Sequence, residues 1–241
     1  MIRIRKAGER GQADYGWLMT YHTFSFSGYH DPNHMGFRSL RVINDKTLRG
    51  GASVDAHPHR NVELINYVIS GTLEHRDGTG QVAVLQPGDV QRISAGTGFL
   101  HAEFNASPIE PAHYLQIWIL PDREQLPPDC AVKSFGEAPT GRWHVAASKL
   151  GRDDSLRLNQ DVEFLLARLG PGEQIFYQPN PGRHAWIHIA AGAIVVNGAP
   201  LQAGDGAAIS DEPAVTLTCL VPPRSPGVPA NPAQTLLFDM L

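Results

Sequence analysis

The strongest constraint on this chain is that its two halves use the same grammar. Gly88-Asp89-Val90-Gln91-Arg92-Ile93-Ser94 reappears as Gly204-Asp205-Gly206-Ala207-Ala208-Ile209-Ser210, and upstream Val68-Ile69-Ser70-Gly71 is echoed by Ile189-Ala190-Ala191-Gly192. In both halves a strand, a glycine, a hairpin and a Gly-Asp turn follow in order, the second hairpin being shorter and closed at Asn197-Gly198. Matching elements on both sides of a matching segment point to duplication, and an internal repeat sets the architecture before any site is argued.

Each repeat reads as strands. The apolar run 62–69 ends at Gly71, residues 73–76 and 81–85 flank the turn cluster Asp77-Gly78-Thr79-Gly80, and Pro87-Gly88-Asp89 leads into 90–94. Short runs with turn signals every few residues, in a chain with 24 Gly and 19 Pro, predict an all-β fold of two tandem small antiparallel barrels. The expected division is 1–130 and 131–241. The proline-rich stretch 121–140 reads as the connection, 222–232 as a mobile loop, and 236–238 as part of a last strand.

Bulk properties remove several function classes. Lys and Arg number 20 against 24 Asp and Glu, and no basic run occurs, so there is no electrostatic footprint for nucleic acid. No apolar window is long enough to span a bilayer. Met1-Ile2-Arg3-Ile4-Arg5-Lys6 is basic but has no apolar segment behind it, and two cysteines, Cys130 and Cys219, do not make a secreted disulfide scaffold. A soluble cytoplasmic protein is expected.

Chemistry concentrates in two short motifs of the first half, His57-Pro58-His59 and His101-Ala102-Glu103. Residues two apart on a strand project to the same face, and Pro58 favours extended geometry for His57. Two such strands in one barrel present three imidazoles and a carboxylate to one point. That donor set suits a divalent first-row ion, and the lack of thiolates argues against a closed structural zinc site. The second half has no His-x-His after Pro181 and no His-x-Glu after Ser210, so a single site is expected. Strand phase also admits Glu63 as the carboxylate, if the strand runs on regularly from His59.

Gly51, His57, His59, Glu63 and Gly71, followed by Pro87-Gly88-Asp89, His101 and Asn105, resemble the two motifs of the cupin superfamily. His57-Pro58-His59-Arg60, Ser94-Ala95-Gly96-Thr97-Gly98, His101-Ala102-Glu103 and Gln116-Ile117-Trp118-Ile119 resemble its pirin branch, as do His22-Thr23-Phe24-Ser25-Phe26 and the segment Asp31 to Phe37. The resemblance implies a jelly-roll bicupin whose N-terminal barrel binds one metal through His57, His59, His101 and Glu103, with Glu63 beside them. Three imidazoles and one carboxylate accept iron, nickel, manganese, cobalt, copper or zinc. The resemblance also implies quercetin 2,3-dioxygenase activity, the cleavage of a flavonol by O2 with loss of carbon monoxide, in which Glu103 assists deprotonation of the 3-hydroxyl. The alternative it implies is a non-enzymatic metal or redox sensor working through a protein partner.

The remaining histidines get plainer readings. His30, His75, His113, His144, His184 and His188 are expected to be ordinary surface or core residues. His22 and His34 are expected near the pocket or its lid, while Phe24, Phe26, Tyr29 and Phe37 either line that pocket or anchor the N-terminal arm.

Overall fold

The computed structural model describes residues 1–220 and 231–241. The proline-dense stretch expected as a mobile loop falls almost wholly outside the described residues. Among those residues the regular structure is β-strand with two 3-10 turns, Ala7–Glu9 and Arg152–Asp154. No helix is long and apolar enough to cross a membrane. Two compact units form, one of Arg10–Glu137 and Ser148–Asp161, the other of Met1–Glu9, Ala138–Ala147 and Val162–Leu241. Neither is an unbroken stretch lying on one side of residue 130.

The first unit pairs a seven-stranded with a four-stranded sheet. The larger runs in the order Asp129–Ser134, Asp89–Ser94, Glu63–Ser70, Ala112–Ile119, Leu40–Leu48, Leu18–His22, Gly11–Asp14; the smaller runs Ser53–His59, Phe99–Asn105, Leu73–Asp77, Val82–Leu85. The second unit repeats the pattern. Its larger sheet contains, in order, Ile2–Arg5, Gly206–Ile209, His184–Ala191, Ala233–Met240 and Val162–Leu169, and its smaller runs Gln174–Tyr177, Val215–Cys219, Ala193–Val196, Ala199–Gln202. The chain is therefore an all-β bicupin. Leu18, Leu48, Val68, Leu73, Leu85 and Tyr114 pack inside the first barrel; Leu165, Ile187, Ile194, Val215, Leu217 and Leu237 belong to the core of the second.

Duplication extends to single atoms. Gly88 N–H donates to the Val68 carbonyl and Gly204 N–H to the Ile189 carbonyl, both at 2.8 Å. Asp89 Oδ2 accepts from Gln86 N–H at 2.8 Å, and Asp205 Oδ2 from Gln202 N–H at 3.1 Å, so each aspartate ties its own turn. Gly71 and Gly192 occupy the same left-handed backbone state, φ 74° and 80°. A Cβ there would meet Pro111 O at 2.3 Å and Ala233 Cβ at 2.8 Å, so glycine is required on both counts. Asn197 and Gly198, φ 44° and 85°, make the two-residue turn with both φ positive that suits a twisted hairpin.

Two strands differ from the sequence expectation. Asp129–Ser134, inside the stretch read as a connection, pairs with Asp89–Ser94 as an outer strand, with the nearby prolines kept outside its ladder. Ile2–Arg5 takes the same outer place beside Gly206–Ile209 in the second barrel.

Candidate metal centre

The first barrel brings together His57, His59 and His101, with one ring nitrogen of each within 4.8 Å of the others. His57 and His59 share a face of one strand, and His101 lies opposite His57 on the next. Between them is a bulge: His101 pairs with His57 but Glu103 with Val54, so the Val54 to His57 side carries an extra residue that bends the strand at the site. His57 Nδ1 lies 2.8 Å from the Asp55 carbonyl, which leaves Nε2 as its free lone pair, 3.1 Å from His101 Nε2. Ligand bonds of about 2.1 Å at right angles would separate two nitrogens by about 3.0 Å. His59 Nε2 is buried and has no hydrogen-bond partner. A buried nitrogen without a partner and three convergent imidazoles fit one divalent transition-metal ion. His57 is half-buried, whereas His59 and His101 are buried, so the site faces solvent on the His57 side.

Glu103 is fully buried beside the histidines but outside the three-nitrogen cluster. Its carboxylate is held by the opposite sheet. Tyr114 OH donates to Oε2 at 2.6 Å, Lys46 Nζ to Oε2 at 3.1 Å, and Gln116 Nε2 to Oε1 at 2.7 Å. Burial pushes this carboxyl up, but the Lys46 charge, His101 and the Tyr114 hydroxyl together bring it down to about 2. Glu103 is therefore ionised and well anchored.

Glu63 is elsewhere. Ser94 Oγ donates to its Oε1 at 2.7 Å and Asn159 Nδ2 to the same oxygen at 3.1 Å. Strand phase misleads here because His59 ends one strand and Glu63 begins a strand of the other sheet, with a left-handed residue, Asn61 (φ 51°), between.

Five neighbours of the site were not singled out by spacing: Lys46, Tyr114, Gln116, Trp118 and His75. His75, expected to be an ordinary surface or core residue, places its Nε2 2.8 Å from His101 Nδ1. Trp118 stands edge-on to His59 at 5.0 Å, and Phe26 of the N-terminal arm stands edge-on to Trp118 at 5.3 Å. The arm thus both anchors on the barrel and approaches the site through one ring. His22 packs against Phe26 with the rings tilted by 38° and bonds Asn44 Oδ1 at 2.7 Å, whereas His34 pairs locally with Asp31. His113, His144 and His184 bond Asp45, the Pro139 carbonyl and Ser210, respectively. Both cysteines are free thiols.

The second barrel shows what becomes of these positions. Carrying the strand registers from Gly71 onto Gly192 sets Tyr177, Val215 and Leu217 where the first barrel has His57, His101 and Glu103. All three are buried in the apolar core.

The N-terminal portion, residues 3–119, matches the family described as Pirin, and residues 145–240 match the quercetinase C-terminal cupin domain. The chain is 42% identical over 240 residues to a protein named quercetin 2,3-dioxygenase from Escherichia coli, covering 100% of this chain and 99% of the relative. The chain belongs to the pirin family. This pirin is also 39% identical to a pirin-like protein of Caulobacter vibrioides, over 91% of this chain and 95% of that one. Among solved structures it resembles the bacterial pirin YhhW from E. coli in complex with nickel(II), at TM-score 0.90 and 38% identity, with 100% and 99% of the two chains covered.

Burial makes the site of this pirin sensitive to acid. It holds His59 down to about 4, helped by the charge of His57, and His101 down to about 3 against the pull of Glu103. An unfolded imidazole takes its proton near about 6.5. The metal-free protein should therefore lose stability as the pH falls from about 6.5 toward 4, by up to about 1.4 kcal/mol per pH unit for each histidine. A series of urea midpoints across that window checks this; a flat profile contradicts it.

Proposed function

We propose that this pirin is a metal-dependent dioxygenase that opens a flavonol such as quercetin with O2. The observation that carries the reading is the convergence of three imidazole nitrogens at a barrel opening, one of them buried without a partner. Relatives named quercetin 2,3-dioxygenase support the substrate class. His57, His59 and His101 hold the ion, with Glu103 as the fourth ligand. A divalent ion bound there supplies Lewis acidity and lowers the pKa of a hydroxyl that coordinates it.

The chain's own groups set the rest. Glu103, held at about 2, is a better ligand than base: Lys46 and Tyr114 both donate to its Oε2, and Gln116 donates to Oε1, which keeps a lone pair. The half-buried rings of Trp118 and Phe26 offer faces to a flat aromatic body. The Trp118 indole N–H is buried without a hydrogen-bond partner next to His59, where it can donate to a substrate carbonyl. Anaerobic addition of quercetin to nickel- or manganese-loaded protein should shift the flavonol absorption, and the metal-free protein should not. Identical spectra with and without metal count against flavonol binding.

A further inference from the structure

We infer that His75 is a positioning residue for the metal centre, holding His101 in the tautomer and orientation that turn its Nε2 toward the ion. This rests on the metal-site reading but on no assumption about the substrate. A neutral imidazole has one N–H. For His101 to offer Nε2 as a lone pair, its proton must sit on Nδ1, and at 1% exposure that N–H needs a protein acceptor. His75 Nε2, 2.8 Å away, is in place to accept. His75 must then carry its own proton on Nδ1.

The fold holds this acceptor rigidly. His75 is 2% exposed and lies on the strand next to His101, two residues from its direct partner Asp77, within the reach of a diagonal pair. Its ring stacks on Phe99 at 6.1 Å and 22°. His57 gets the same service from its own strand, through the Asp55 carbonyl. In the second barrel the residue at the His75 position is Val196, so the outer imidazole is replaced along with the ligands it would serve. A histidine that merely filled space would have no reason to aim a ring nitrogen at a ligand's second nitrogen. Outer groups that fix a metal-bound imidazole are worth about 10–100-fold in metal affinity.

The test compares full-length His75→Gln, which keeps an acceptor near the position of Nε2, with His75→Leu, which keeps bulk and loses it. Ni2+ affinity is measured by chelator competition, and melting of the metal-free proteins reports the fold. His75→Leu should bind Ni2+ about 10–100-fold more weakly, with His75→Gln close to wild type. In the Co2+-loaded wild type, proton NMR should show a hyperfine-shifted, slowly exchanging ring N–H from His101, and in His75→Leu that signal should broaden into solvent. If His75→Leu does not fold, His75→Asn, whose amide is too short to reach His101, takes its place. Equal Ni2+ affinity in a folded variant, with the exchangeable signal retained, overturns the inference. A wild type that binds no Ni2+ overturns the metal-site reading and this inference together.

Discussion

Replacing His101 with Ala should weaken binding of a divalent ion by more than about 100-fold, a larger loss than that from any outer partner of a ligand. His101 sits at the centre of the constellation. Its Nε2 is 3.1 Å from His57 Nε2, its ring is 4.9 Å from that of His59, and its Nδ1 meets His75. The same change should leave the metal-free barrel folded, because the second barrel fills the equivalent position with an apolar residue, Val215. His101→Val copies that solution and should melt closer to wild type than His101→Ala, which leaves a void. Ion binding by calorimetry and melting without metal separate the two effects. A His101→Ala protein that still binds one ion at near wild-type affinity would place the site elsewhere.

Lys46→Met should be the most destabilising change near the site, and metal should reverse much of it. Lys46 is the cation facing the fully buried Glu103 carboxylate, at 3.1 Å. Removing one partner of a buried pair costs about 3–5 kcal/mol because the other charge stays behind unpaired. The Glu103 carboxyl would then lie above its present value of about 2, since the Lys46 charge is the largest influence holding it down. Glu103 now adds stability that is complete above the unfolded value near about 4.5 and is lost as the pH falls toward 2, so in Lys46→Met that loss should begin at higher pH. If Glu103 ligates the ion as proposed, a bound divalent cation restores the missing positive charge. The rise in melting temperature on adding Ni2+ should therefore be larger for Lys46→Met than for wild type. Equal rises would mean that Glu103 does not face the ion.

Local pattern carried much of this. The two-residue period of strands predicted that His57, His59 and His101 share one interior, and the Gly-Asp turns predicted the doubled barrel whose hydrogen bonds repeat at Gly88 and Gly204. What local pattern lacks is pairing between distant segments. Ile2–Arg5 completes a barrel made mostly of residues beyond 160, and nothing in four residues near the N-terminus announces that. Lys46, Tyr114 and Gln116 reach Glu103 from the opposite sheet, so no spacing within one segment points to them. Phase also fails across a turn, as it does for Glu63 after Asn61. His75 sits in a hairpin strand that looks ordinary, and only its register beside Glu103 and His101 reveals its target.

Oxygen uptake on quercetin by anaerobically purified protein, read against metal content for wild type and His101→Ala, tests the central claim most directly. Uptake that scales with bound metal, releases carbon monoxide and vanishes in His101→Ala is the expected result. Full metal occupancy without uptake would contradict quercetin dioxygenation and favour the alternative of a metal-sensing pirin.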